Sequence, residues 1–264
     1  MVLIEDSGFN RNENIMKISS RPVFCREDEK VIDLFKKMFV GYRRIPVVDK
    51  DNFVVGIVTL SDVLKSFLFN QDVYRTKVED IMLREPIVIE ETETLDFLLR
   101  LFKFSKRGGF PVVDKKGRVK AIVSERDFVR LFENVSFNVK VKDVMTKKPL
   151  VVKNNFTLED CAKSFVMSGF RRFPILDENN NLVGIITLFD LIKYIALNDF
   201  KKEVLSRNLM DIAVKDVIKI NEESDVSDFI KLTKDKFIGG LLVVDNSNKL
   251  TGIITERDVI ELIE

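Results

Sequence analysis

At 264 residues and 45% apolar composition, the chain can build two domains with substantial cores, and 32% charged residues give it a solvated surface. Its 43 Lys and Arg against 42 Asp and Glu leave a net charge of +1, which excludes a global pull toward nucleic acid or an acidic membrane. Histidine is absent, which removes the commonest acid–base side chain and metal ligand, and Cys25 and Cys161 are too far apart in sequence for a zinc-type pair.

The two cysteines are expected to be small core residues in a reducing compartment. The first residues turn acidic at Glu5 and Asp6, unlike a signal peptide, and no apolar run approaches the roughly 20 residues that span a bilayer. A soluble, cytoplasmic protein without a membrane partner is expected.

Residues 1–12 are polar with little periodicity and are expected to form a flexible leader. Four similar stretches follow, over 13–69, 78–132, 141–195 and 209–264. The third reads most clearly. A short apolar strand over 150–152 follows Pro149. Thr157 is placed to cap a helix whose Leu158, Cys161, Ala162 and Phe165 share one face, and Gly169 is placed to end it. A strand over 172–177, a turn over 178–181, a returning strand over 182–187 and a helix from about Leu188 complete the unit. The other stretches repeat this order of strand, helix, strand, strand, helix. The fold class is therefore mixed α/β (α+β), four βαββα repeats, each a three-stranded sheet with two helices.

Each repeat carries a hydroxyl and a carboxylate three residues apart at its second strand-to-helix junction: Thr59 and Asp62, Ser124 and Asp127, Thr187 and Asp190, Thr255 and Asp258. Gly56, Gly184 and Gly252 precede three of these pairs, with Ala121 in the second repeat, and Asp49, Asp114, Asp177 and Asp245 stand ten residues before each hydroxyl. Odd repeats share a glycine, an aromatic residue and an arginine pair, Arg43-Arg44 and Arg171-Arg172. Even repeats instead share a glycine pair, Gly108-Gly109 and Gly239-Gly240, and an acidic–arginine–Asp ending with Arg126 or Arg257. Odd resembling odd and even resembling even implies a duplicated pair, with modules 1+2 and 3+4. A unit of about 55 residues buries its own core poorly, so pairing is the expected remedy.

A Ser or Thr three residues before an acidic residue is also a capping box, in which the junction glycine merely lets strand and helix approach. The same geometry suits a ligand. A helix N-terminus offers free N–H groups to a phosphate, a carboxylate one turn in accepts hydrogen bonds from a ribose diol, and nearby arginines balance phosphate charge. Apolar strand residues near Pro46, Pro111 and Pro174 are left for the base.

Four copies of this junction, with Met145-Thr146 and Pro149 and with Asp80-Ile81-Met82 ahead of their repeats, resemble the cystathionine β-synthase (CBS) domain, whose paired form is the Bateman module. The resemblance implies ribose contacts from Asp62, Asp127, Asp190 and Asp258 with the hydroxyls of Thr59, Ser124, Thr187 and Thr255. It sets phosphate contacts on Arg43, Arg44, Arg126, Arg171, Arg172 and Arg257, with the sites of Asp62 and Asp190 favoured and with residues borrowed between paired units. The implied ligand is AMP, ADP or ATP, or alternatively S-adenosylmethionine. The implied role is a regulatory, energy-sensing one toward a partner protein, with no catalytic residue, no metal and no catalytic cofactor. Two such pairs without a further domain are similar in architecture to the regulatory γ subunit of AMP-activated protein kinase. A ligand-free interaction module is the plainer alternative and nucleic-acid binding the least favoured. Closure of the pairs within one chain or through a homodimer stays open.

Overall fold

The computed structural model describes residues 9–69, 71–236 and 238–264. The first unit contains β1 (Cys25–Arg26), α1 (Val31–Phe39), β2 (Arg44–Val48), β3 (Val54–Thr59) and α2 (Leu60–Leu68). The second contains β4 (Leu83–Arg84), β5 (Ile89–Glu90), α3 (Leu95–Ser105), β6 (Gly109–Val113), β7 (Val119–Ser124) and α4 (Glu125–Val129). In the third are α5 (Val141–Val144), β8 (Thr146–Lys147), β9 (Val152–Lys153), α6 (Leu158–Ser168), β10 (Arg172–Leu176), β11 (Leu182–Thr187) and α7 (Leu188–Leu197). The fourth has β12 (Lys219–Asn221), α8 (Val226–Lys236), β13 (Gly240–Val244), β14 (Leu250–Thr255) and α9 (Glu256–Leu262). Much of the expected leader lies outside the described residues. Phe9 packs on Phe128 and Phe132, with ring centroids 5.6 and 5.1 Å apart.

Local chemistry accounts for the boundaries. Thr157 caps α6, its hydroxyl accepting from the N–H of Asp160 at 3.2 Å, and Gly169 ends the helix at φ 71°, where a side chain would be strained. The four aspartates ten residues before the junction hydroxyls belong to turns. Asp49 Oδ1 accepts from the N–H groups of Asp51 and Phe53, both at 2.9 Å, and Asp114 Oδ1 does the same for Lys116 and Arg118. Three residues past each aspartate the chain turns left-handed, at Asn52, Gly117, Asn180 and Asn248. These aspartates build hairpins.

Leaving aside the lead-in strands β4 and β8, in every unit the first strand runs parallel to the second and the second antiparallel to the third. Units then trade their lead-in segments. β4, ahead of unit two, pairs with β3 of unit one, and Ser20, ahead of unit one's sheet, bridges Ile122 of unit two. β8 of unit three pairs with β14 of unit four, and Val214 of unit four bridges Ile185 of unit three. Two Bateman pairs, 1+2 and 3+4, result.

The apolar cores run the other way, a correction to the expectation that pairing closes them. One cluster joins units one and three, for example Leu34, Phe35 and Leu64 with Leu158, Phe165 and Leu191; the other joins units two and four, for example Leu98, Phe102 and Phe128 with Phe229, Val259 and Ile260. α2 packs on α6 and α7, while α3 and α4 pack on α9. Sheets are used up in strand exchange, so the helices must find their cover in the opposite pair. The four units close into a ring within one chain, in the order 1–2–4–3.

The junction glycines serve the exchanged lead-ins, a correction to the reading of a close strand–helix approach. A Cβ on Gly56 would collide with Met82 Sδ and lie 3.2 Å from the carbonyl of Leu83. On Gly252 it would collide with Met145 Sδ and lie 2.9 Å from the carbonyl of Thr146.

Candidate functional site

All four hydroxyl–carboxylate pairs form a capping arrangement. Thr59 donates to Asp62 Oδ2 from its N–H at 2.8 Å and its hydroxyl at 2.7 Å; the pairs Ser124–Asp127, Thr187–Asp190 and Thr255–Asp258 repeat it within 2.5–3.0 Å. One carboxylate oxygen does all of this. Among the described residues, Oδ1 of Asp62, Asp127 and Asp190 receives no hydrogen bond, so the cap does not exhaust the acceptor. Asp258 is held above the usual carboxylate range by burial, offset in part by bonds from Thr255 and from the Thr146 side chain.

Three of the four carboxylates line clefts between paired units. The Asp62 cleft, about 530 Å³, is walled by Leu83, Pro86 and Ile87 of the lead-in to unit two. The Asp258 cleft, about 510 Å³, is walled by Thr146, Pro149 and Leu150 of the lead-in to unit three. Asp127 and Ser124 face a smaller cleft of about 230 Å³ with Ser20. Asp190 lines none of these cavities. Each cleft combines one unit's junction with its partner's lead-in.

At the ring's centre the arginines meet. Arg44 reaches from unit one to donate to the carbonyl of Gly108 in unit two. Arg257 pairs with Glu125 and donates to the carbonyls of Phe102 at 2.6 Å and Arg107 at 3.0 Å. Arg126 pairs with Glu256 at 3.1 Å. The guanidiniums of Arg43, Arg171 and Arg172 make neither a hydrogen bond nor an ion pair among the described residues. Arg43 and Arg44 line the Asp127 cleft, Arg171 and Arg172 the Asp258 cleft, and Arg44 and Arg171 the Asp62 cleft. The second arginine pair thus sits with Asp258 rather than with Asp190.

Crowding shows in the charges. Burial, then Arg171, pulls Arg44 down to about 9; burial and the neighbouring arginines outweigh Glu256 at Arg172 and bring it to about 10; Arg43 is lowered by burial and Arg126. Burial raises Glu125 despite Arg257 and Arg44. Like charges held within several ångströms repel by on the order of 3 kcal/mol per pair at the effective dielectric of such sites. Six arginines around Glu125 and Glu256 therefore make a centre that an incoming polyanion relieves. These two glutamates line the clefts and were passed over by the sequence reading; their signal was the ending that only even repeats share.

Among the described residues no His, Cys, Asp and Glu grouping is spaced to hold a metal ion, and no helix is long and apolar enough to cross a membrane. Cys25 and Cys161 are fully buried, and burial pushes both thiols up to about 12.

Strand-exchanged βαββα pairs with a repeated hydroxyl–carboxylate junction define a chain of CBS domains. The CBS-domain family matches residues 14–68, 78–134, 141–197 and 209–264, and the chain belongs to it. Protein MJ1225 of Methanocaldococcus jannaschii is 31% identical over 245 residues, 83% of this chain and 87% of that one. Its crystal structure, described as that of a proposed archaeal homologue of γ-AMPK, superposes with a TM-score of 0.86 at 28% identity, over 95% of this chain and 99% of that one. A protein encoded in a ribosomal RNA operon of Thermofilum pendens is 30% identical over 93% of this chain and 91% of its own length. A conserved Pyrococcus horikoshii protein shares the fold, with a TM-score of 0.66 at 21% identity over 95% of this chain and 99% of that one.

Proposed function

We propose that the chain is a sensor of adenine nucleotides, AMP, ADP or ATP, that signals ligand state to a partner protein. The observation that carries this reading is the polarity of each cleft. Each cleft is lined by a junction carboxylate, which at Asp62 and Asp127 keeps a spare acceptor oxygen suited to a ribose diol, and by Arg171, whose guanidinium has no protein partner among the described residues and suits a phosphate. Apolar lead-in residues of the same clefts, such as Pro86 and Ile87 or Pro149 and Leu150, offer cover for a base. Likeness to a protein described as a γ-AMPK homologue supports a regulatory role.

Phosphate-bearing ligands are favoured over S-adenosylmethionine because a sulfonium brings positive charge toward a centre already rich in arginine. Because every cleft is walled by both units of a pair, ligand would draw paired units together, and the partner would read the change in packing. Native mass spectrometry of the purified full chain tests this reading. Mass increments matching adenine nucleotides, removed by dialysis and restored by adding AMP or ATP, are expected. A chain that never carries such increments, even with millimolar nucleotide added, contradicts it.

A further inference from the structure

Both Bateman pairs are joined by strand exchange, and in that respect they match. Ser20 and Ile122 exchange backbone hydrogen bonds at 2.9 and 3.0 Å beside the β3–β4 pairing, and Val214 and Ile185 exchange theirs at 2.9 Å beside β14–β8. The hairpins at the other end of the sheets differ. In pair 1+2 the N–H of Val54 donates to the carbonyl of Gly117 at 3.2 Å, and that of Val119 to the carbonyl of Asn52 at 3.0 Å, with Phe53 bridged to Arg118. These bonds stitch the hairpin of unit one to the hairpin of unit two. In pair 3+4 the hairpins over 177–181 and 245–249 bond within themselves and to Lys153, Lys219 and Asn221 of their own units. Among the described residues no hydrogen bond or bridge joins one of these hairpins to the other.

Two sequence positions account for the difference. Asn52, Gly117, Asn180 and Asn248 take the left-handed place in the four turns, and Phe53, Arg118, Asn181 and Lys249 follow them. Phe53 lies against Gly117, where a Cβ would stand 3.4 Å from its ring. Pair 3+4 has Asn181 in place of that ring and Asn248 in place of that glycine. Both asparagine side chains are turned to their own unit: Asn181 donates to Asp177 at 3.0 Å and Asn248 accepts from Lys219 at 2.8 Å.

The consequence is mechanical. Units one and two are pinned both at the strand exchange and at the hairpins, so a tilt between them breaks backbone bonds. Units three and four are pinned at the exchange, and each is held to the opposite pair by its helical core, so a tilt between them needs only a small shear of packed helices. The Asp258 cleft is walled by both of these units, with Pro149, Leu150 and Phe170 on one side and Thr255 and Asp258 on the other.

We infer that pair 1+2 is the fixed frame of the ring and pair 3+4 its moving part, with the Asp258 cleft opening and closing as units three and four tilt about the Val214–Ile185 and β8–β14 pairings. For the identity of the ligand this rests on the nucleotide reading; it assigns the switching role to the Asp258 cleft and makes the Asp62 and Asp127 clefts preformed. About five residues of chain separate Ile185 from the turn at Asn180, roughly 16 Å, so a tilt of about 10° moves the hairpin tip by about 3 Å.

Spin labels on the hairpin tips of the full chain read that tilt. Lys50→Cys with Lys115→Cys labels pair 1+2, and Glu178→Cys with Asn246→Cys labels pair 3+4. All four positions are exposed, while Cys25 and Cys161 are fully buried and stay unlabelled. In the nucleotide-stripped chain the tip-to-tip distance should be narrow in pair 1+2 and spread about 3 Å wider in pair 3+4. AMP or ATP, bound as judged by calorimetry, should shift the second distance by about 3 Å and leave the first in place. Phe53→Asn with Gly117→Asn gives pair 1+2 the residues of pair 3+4 and should broaden its distance; Asn keeps the left-handed turn, so the hairpin survives. Equal spreads in the two pairs of the stripped chain overturn the inference, as does an unchanged spread in the Phe53→Asn, Gly117→Asn chain. So does bound nucleotide that leaves pair 3+4 unmoved or moves pair 1+2 as far. The stripped-chain comparison contains no nucleotide, so its outcome is separate from that of the adenine reading.

Discussion

Arg44 of unit one lies over Gly108 of unit two and donates to its carbonyl. A Cβ on Gly108 would stand 2.8 Å from Arg44 Nη2, and one on Gly109 would stand 2.7 Å from Nη1. Arg172 covers Gly240 in the second pair in the same way, where a Cβ would overlap its guanidinium. The second arginine of each odd unit's pair and the glycines of the even units are therefore two halves of one contact. A side chain on either glycine would evict the cation from the centre.

Gly109→Ala tests that contact. Its Cβ would also face the carbonyl of Val123 at 2.8 Å, a backbone atom that cannot swing aside. A loss of about 1–3 kcal/mol is expected from the overpacking, read as a lower denaturant midpoint. Nucleotide affinity should fall with it, since Arg44 borders both the Asp62 and Asp127 clefts.

The four junction aspartates should separate into two behaviours. Replacing any one with Ala removes the acceptor of its capping bonds and should cost about 1 kcal/mol in chemical unfolding. Nucleotide affinity should drop for Asp62→Ala, Asp127→Ala and Asp258→Ala but hold for Asp190→Ala, whose carboxylate lines none of the clefts. Equal loss of binding in all four would show that the fourth junction is also a site.

Arg171 borders all three clefts. A charge-assisted hydrogen bond is worth about 1.5–3 kcal/mol, so Arg171→Ala should weaken nucleotide binding about ten-fold or more in more than one cleft. Titrations at two salt concentrations should also show a shallower salt dependence, as one cation is gone.

The buried thiols give a pH signature. Cys25 and Cys161 titrate at about 12 in the folded chain against an ordinary 9.0, so the folded state holds their protons more tightly. Their contribution is whole below pH 9 and is lost as pH rises from about 9 toward about 12. The stability difference between the native chain and a Cys25→Ala, Cys161→Ala variant should be flat below pH 9. By about pH 10.5 it should shift in favour of the variant by on the order of 2 kcal/mol per thiol. Taking the difference cancels Arg44 and Arg172, whose lowered values act with opposite sign. A flat difference throughout would mean that the thiols are not buried as described.

Much of the fold was legible because local chemistry wrote it four times. The α6 cap at Thr157, its end at Gly169 and the hairpin after Asp177 need only their own neighbours. The ring closure was not legible, since an apolar face such as Leu158, Cys161, Ala162 and Phe165 looks the same whichever helix covers it. Nor was the role of Gly56 and Gly252, because the methionines they admit, Met82 and Met145, lie in other units. Glu125 and Glu256 read as ordinary acidic residues in a helix's first turn, where they complement the helix dipole. Only the meeting of units two and four turns them into partners for Arg257 and Arg126.

The central claim is that a junction carboxylate and arginines lining one cleft hold an adenine nucleotide. Isothermal titration of the nucleotide-stripped full chain with AMP, ADP, ATP and S-adenosylmethionine addresses it directly, with an Asp62→Ala, Asp258→Ala variant alongside. The account predicts saturable binding of at least one of the three nucleotides, tighter than that of S-adenosylmethionine, and a loss of the corresponding sites in the variant. No nucleotide binding below millimolar concentration, or identical isotherms for the two proteins, would contradict it.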